Sequence, residues 1–204
     1  RANYSAAIDG NVAINAKLTI TYTNLSAPDG KPCLHQPYYP ATYAELQQGC
    51  YWDYIRVIAP AASQLIKAEG VSEPVTETPI NDRAVFGGFL VVGRGETRTA
   101  HFEYTVPPNS KVKSHYTLTW EKQPGAPNFP VQIHLAFPSG MVVRSADPAP
   151  SSQSGSTIDF SLLLDSDKTI TVEADSVMVS VMAWLLLGIG ILVMGVIAVY
   201  RRRT

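Results

Sequence analysis

The sequence predicts an all-β, extracytoplasmic antiparallel β-sandwich of the Ig-like kind followed by one C-terminal transmembrane α-helix. Three observations carry that prediction. Apolar and polar residues alternate at period two in stretch after stretch, the signature of half-buried strands. Clusters of Pro, Gly, Asn, Asp and Ser separate those stretches as turns separate strands. Near the C-terminus, Val177 to Tyr200 runs for 24 positions without a charge and stops at Arg201, Arg202 and Arg203.

The strands follow in order. Val12, Ile14, Ala16, Leu18, Ile20 and Tyr22 alternate with Lys17, Thr19, Thr21 and Thr23 and give the clearest strand. Asn24 to Gly49, with Pro28, Pro32, Pro37 and Pro40, reads as a long surface loop with one helical turn around Tyr43 to Gln48. Tyr51 to Ala59 is a strand ended by Pro60, Gln64 to Ala68 a short one, and Glu69 to Asn81 an acidic, proline-containing loop. Arg83 to Val92 is apolar on both faces, and its paired Gly87 and Gly88 mark a bulge or the close approach of another backbone. Thr97 to Val106, His115 to Glu121 and the stretch around Val131 to Phe137 repeat one phase, which suggests an antiparallel meander with one buried face. Met141 to Arg144 is a short strand, Ser145 to Ser156 a loop, and Ile158 to Leu164 and Ile170 to Ala174 the closing pair. About nine strands and no convincing amphipathic helix make a sandwich the expected architecture, with one or two sandwiches left open.

At about 1.5 Å per residue, the 24-residue apolar run would span roughly 36 Å as a helix, enough for a hydrocarbon core of about 30 Å. The arginine cluster then places the C-terminus in the cytoplasm. Three segments are expected: an extracytoplasmic domain over residues 1–175, a transmembrane helix over 176–200 and a cytoplasmic tail over 201–204. The expected location is the cell membrane, in a single-pass arrangement with the lipid bilayer as one partner. Because the chain opens on Arg1 and no leader pattern follows, a signal peptide or a larger upstream region is expected to be missing. Gly188 and Gly195 lie seven apart on one helix face, a small-residue stripe of the kind that lets helices approach, so other membrane protein subunits are expected partners.

Removing Arg201, Arg202 and Arg203 from the 16 Lys and Arg leaves 13 against 17 Asp and Glu, a net of −4 for the ectodomain. That balance argues against a nucleic-acid partner. Cys33 and Cys50 are the two cysteines, and in an oxidising compartment they are expected to pair and to stabilise their loop by about 3 kcal/mol. With His35 the only nearby ligand, they do not make a zinc site. His101, His115 and His134, with Glu103, would share one solvent face if the meander forms. Exposed polar residues explain that face better than a metal does, and no cofactor, metal or catalytic residue is assigned. GxSxG, HExxH, P-loop and CxxC patterns do not occur. Asp53 and Arg56 are candidates for a structural pair. Tyr38, Tyr39, Tyr43, Tyr51, Trp52 and Tyr54 concentrate aromatic surface around the cysteines, where a carbohydrate or protein ligand is the functional reading and packing the plainer one.

Three stretches taken together, CYWDYIRVIAP at Cys50 to Pro60, VFGGFL at Val85 to Leu90 and ETRTAHFEYTVP at Glu96 to Pro107, resemble the C-terminal β-rich part of a bacterial envelope-protein family of unknown function. Members of that family carry an aromatic strand leading to VPxGS, an FGGF strand and a TxxYxLP strand. The resemblance covers roughly residues 10 to 120 and implies a β-rich envelope protein with no assigned catalytic residues. Its members are anchored at the other end of the chain. The expected function is that of a non-enzymatic envelope protein serving assembly or contact, as an accessory subunit of a larger complex. The alternatives are an adhesion or glycan-binding module and, third, an envelope enzyme whose catalytic part lies upstream.

Overall fold

The structure is a computed structural model that describes residues 1–8, 13–33, 42–107 and 115–176. In chain order its elements are β1 (Ala2–Ile8), β2 (Ile14–Thr23), α1 (Tyr43–Gln47), β3 (Tyr51–Ala59), β4 (Gln64–Glu69), β5 (Ser72–Ile80), β6 (Arg83–Val92), β7 (Thr97–Val106), β8 (His115–Trp120), β9 (Phe129–Ala136), β10 (Met141–Asp147), β11 (Ser152–Ser154), β12 (Thr157–Leu164) and β13 (Lys168–Ser176). Seven strands form one sheet in the order β11-β12-β9-β1-β2-β7-β4. Two three-stranded sheets, β10-β13-β8 and β3-β6-β5, share the core on one of its faces. The Tyr4 and Tyr116 hydroxyls meet at 3.0 Å between β1 and β8, and the Phe86 and Tyr104 rings lie 5.7 Å apart between β6 and β7.

Period-two alternation explains why the large sheet has one dry face. Tyr4, Ala6, Ile14, Ala16, Phe102, Tyr104, Ile133, Leu135, Ile158 and Phe160 all point inward, and Phe102 and Phe160 are wholly buried. Inner residues of all three sheets join one continuous apolar cluster, so the described residues form one sandwich and not two. The opposite face is wet. Lys17 pairs with Glu103 at 3.0 Å, Thr19 Oγ1 meets His101 Nδ1 at 2.9 Å, and Thr23 meets Thr97 at 3.0 Å. These are cross-strand neighbours of the kind that stabilise a half-exposed sheet by a few tenths of a kcal/mol each, about 0.2–1.

Several expectations change. The expected transmembrane helix, and with it the single-pass membrane anchoring, is not supported: no helix among the described residues is long and apolar enough to cross a membrane. Val177 to Tyr200, together with Gly188, Gly195, Arg201, Arg202 and Arg203, lie outside the described residues. The sandwich is also not uniformly antiparallel, because β1 runs parallel to β9, Tyr4 opposite Ile133. The meander is absent: β1 and β2 lie between β7 and β9, while β8 belongs to another sheet. Residues 72–80, expected as loop, form β5, an edge strand exposed along most of its length, so it shows no alternation. Its hairpin with β6 turns on Asn81 and Asp82, at φ 49° and 61°, the two positive values that a tight two-residue hairpin turn requires.

The cysteine loop is closed by a Cys33–Cys50 disulfide. Inside it, α1 starts with a reciprocal cap: Glu45 N donates to Thr42 Oγ1 at 3.2 Å and Thr42 N to a Glu45 carboxylate oxygen at 3.1 Å. The Asn24 side-chain amide donates to the Gly49 and Val92 carbonyls at 3.0 and 3.2 Å, which fastens the foot of the loop to the end of β6.

Candidate functional site

Three sheet faces look outward, and their chemistry differs. The large sheet shows mostly Thr, Asn, Lys, Glu and His, with Ile66 and Leu163 exposed as well, and β8 and β13 show Thr117, Thr119, Thr169, Thr171 and Glu173. The sheet β3-β6-β5 does not follow that rule. Register sets Trp52 beside Val91, Tyr54 beside Phe89, Arg56 beside Gly87 and Val75, and Ile58 beside Val85 and Glu77, all on the outer face. Val85 is nonetheless fully buried, whereas Tyr54, Ile58, Val75 and Ile80 are between 42% and 48% exposed. The Trp52 and Phe89 rings lie 5.8 Å apart. A strand that is apolar on both faces belongs in the middle of two layers, and among the described residues β6 has a sheet packed on one side.

One polar group interrupts this apolar field. Arg56 Nε donates to Glu77 at 3.1 Å, and the Arg56 guanidinium carbon lies 5.4 Å from the Tyr54 ring centroid. A hydrogen bond to Glu77 holds the Tyr54 phenol above the usual tyrosine range. Gly87 explains the arrangement, because a Cβ there would collide with the Tyr54 hydroxyl and a Glu77 carboxylate oxygen. The glycine therefore serves a close approach of side chains, not of backbone. At Gly88 the neighbour is the Val71 side chain, on the core side.

Two glycine substitutions should separate this surface from the fold beneath it. At Gly70, φ is +72° and a Cβ would strike the backbone carbonyl of Thr99, so Gly70→Ala should destabilise by about 2 kcal/mol or more. At Gly87 the obstacles are the ends of two flexible side chains, so Gly87→Ala should shift stability by less than about 1 kcal/mol while displacing Tyr54. Thermal melts and tyrosine fluorescence of both variants check this, and equal destabilisation would contradict it.

The face runs at Val91 into a cleft of about 590 Å³ beside the disulfide. Asp29, Lys31, Arg94, Glu96 and Arg98 line it. Arg94 Nη1 donates to Asp29 at 2.6 Å and Arg98 Nη2 to Glu96 at 2.8 Å. On the inner side of the same sheet end, Tyr22 and Tyr51 stack at 5.7 Å. Burial, then the nearby Asp53 carboxylate, raises both phenols above their ordinary range.

The residues singled out from sequence divide accordingly. Tyr51, Trp52 and Tyr54 stand at this end of the molecule, Tyr43 is exposed on α1, and Tyr38 and Tyr39 lie outside the described residues. Asp53 and Arg56 do not pair, since residues three apart on a strand point to opposite faces, and Arg56 takes Glu77 instead. The histidines are not brought together. His134 bonds Asp159 at 2.6 Å, His101 lies three strands from it in the same sheet and bonds Thr19 on the adjacent β2, and His115 faces Glu173 in another sheet at 3.9 Å. Among the described residues, no group of three His, Cys, Asp or Glu side chains is placed to hold a metal ion. Ile58, Val75, Glu77 and Ile80 were missed, although the two-sided apolar character of β6 was the signal that could have found them.

No protein-family model matches the chain, and no curated protein matches it. Among solved structures, an M1 zinc metallopeptidase from Deinococcus radiodurans aligns with 84% of this chain at 9% identity and a TM-score of 0.39. A mutant form of the same enzyme aligns over the same share at 10% identity and 0.40. Likeness at that level supports no statement about activity. The alignment takes in 41% of the peptidase chain.

Proposed function

We propose that this chain is an extracytoplasmic, non-enzymatic envelope module that works by contact, as an accessory part of a larger assembly, and that the outer face of β3-β6-β5 is its contact surface. The observation that carries this reading is the gathering of half-exposed Tyr54, Ile58, Val75 and Ile80 on one small sheet, where the large sheet exposes Ile66 and Leu163 singly. The Cys33–Cys50 disulfide supports the compartment, because such bonds persist where the environment is oxidising.

The test is a double substitution, Ile58→Lys with Val75→Lys, at two half-exposed positions that leave the core untouched. The melting temperature should stay within about 2 °C, as for surface changes near ±0.5 kcal/mol. In native extracts separated by size, the wild type should migrate within a larger assembly and the variant alone. Identical migration of the two proteins would sink the proposal.

A further inference from the structure

We infer that the cleft between residues 24–33 and the turn joining β6 to β7 is a binding site for a small organic acid, its carboxylate held by Lys31, Arg94 and Arg98 and its apolar body against Pro28, Pro32 and Val91. The inference goes beyond the contact reading and stands apart from it, since the two surfaces share only Val91.

Rigidity argues first. The loop that walls the cleft is pinned at its start, middle and end. Asn24 N donates to the Glu96 carbonyl at 2.9 Å, and the Asn24 side-chain amide to the Val92 carbonyl at 3.2 Å. Farther along, Asp29 accepts from Arg94 at 2.6 Å, and Cys33 is tied to Cys50. At Gly95, where φ is +71°, a Cβ would collide with the Pro28 ring, so loop and turn touch directly there. Between these fastenings about 590 Å³ stays open, within the roughly 300–1,000 Å³ of small-molecule sites. Walls fixed in advance spare a ligand the entropy of ordering them.

The hydrogen-bond inventory argues second. A guanidinium has five N–H donors and an ammonium three. Arg94 commits one, to Asp29 Oδ2, and Arg98 two, both to Glu96 Oε2, while the exposed Lys31 ammonium commits none among the described residues. Both oxygens of Asp29 are engaged, because its Oδ1 accepts from Lys31 N at 3.1 Å. Among the carboxylate oxygens described here, that leaves Glu96 Oε1 uncommitted. A cleft so rich in donors and short of acceptors suits a group that only accepts, a carboxylate or a phosphate.

Charge chooses between the two. Three cations face two carboxylates, a surplus of one positive charge among the described lining residues. A single carboxylate cancels that surplus, whereas a phosphate monoester, at about −1.5 to −2 near pH 7, overshoots it. Pro28, Pro32, Val91 and the Cys33 side of the disulfide supply an apolar wall for the rest of the molecule.

Calorimetric titration of the full chain with hydrocinnamate, its neutral amide and phenethyl phosphate tests the inference. Hydrocinnamate should bind about tenfold more tightly than the amide, should weaken as salt is raised, and should bind more tightly than the phosphate. Lys31→Gln and Arg98→Gln, surface changes that should keep the melting temperature within about 2 °C, should each lower the acid's affinity about tenfold, the scale of one charge-assisted hydrogen bond. Thr119→Ala on the polar sheet should change nothing. In amide NMR spectra hydrocinnamate should move the signals of Gly30, Gly93 and Gly95 and leave that of Ser161 in place. No binding, equal binding of acid and amide, tighter binding of the phosphate, or shifts that miss the three glycines would each overturn it. A tetrapeptide ending in Phe with a free carboxylate identifies the source: tighter binding than hydrocinnamate makes the occupant a protein C-terminus, and weaker binding a free acid. The Ile58→Lys, Val75→Lys protein should bind hydrocinnamate as the wild type does, so failure here leaves the contact reading standing.

Discussion

Replacing Phe102 by Ala is expected to destabilise the protein by about 3 to 5 kcal/mol, the range for deleting a buried phenyl ring. Phe102 is fully buried in the large sheet, opposite Leu18 on β2 and Ala68 on β4. With Leu18 as its own cross-strand partner and a small Ala68 on the other side, few side chains can move in to fill the space. The cost therefore includes the residual cavity as well as the lost transfer of apolar surface out of water. Domains are stable by about 5 to 15 kcal/mol, so the variant would retain as little as nothing and at most about four-fifths of its stability. Urea melts should show a lower midpoint with an unchanged slope. A loss below about 1 kcal/mol would mean that Phe102 does not lie in a packed core.

Alkaline pH should unfold the protein with unusual steepness. Tyr4, Tyr104 and Tyr116 bring three phenols together in the core, Tyr4 bonded to Tyr116 at 3.0 Å and also to Tyr104. Burial is the main reason that all three stay protonated well above the ordinary tyrosine range, and mutual repulsion of the ionised forms adds to it. In the unfolded chain the same groups lose their protons near pH 10. The native state thus holds more protons than the unfolded state above that pH, and stability falls as pH rises. The contribution is complete below about pH 10 and is lost above it, at about 4 kcal/mol per pH unit for three groups. Urea midpoints at about pH 9, 10 and 11, read beside tyrosinate absorbance, check this. Tyr4, Tyr104 and Tyr116 should ionise only as the chain unfolds, and a native spectrum in which every tyrosine titrates near pH 10 would refute the buried cluster.

How much of this was legible in the sequence depends on what set each feature. Strands with one dry and one wet face, such as β2 and β7, declared themselves because alternation is a local pattern. β1 was missed because two of its inward residues are the small Ala2 and Ala6, which carry little hydrophobic contrast, and β5 because an exposed edge strand has no contrast at all. The order of strands was wrong because phase reports which residues share a face and says nothing of which strand is next. Nothing near residue 104 tells that β1 and β2 will lie between β7 and β9. The candidate surface was half legible. Trp52 and Tyr54 stood out as aromatics, but Val75 and Ile80 sit in an acidic, proline-containing stretch whose strand exists only because β6 pairs with it.

The position of β1 has a consequence for synthesis. Within the largest sheet, β1 is the sole bridge between β2-β7-β4 and β9-β12-β11. It is translated well ahead of its parallel neighbour, which begins at Phe129, and at about 5 to 20 residues per second the interval is roughly 6 to 25 s. Throughout that time the hairpin of β1 and β2 carries an open edge and an uncovered Tyr4, a template for pairing with other nascent chains. The two halves of the sheet are joined only when the ribosome has passed β9, so a factor that shields β1 in the interval would govern yield without altering the finished fold.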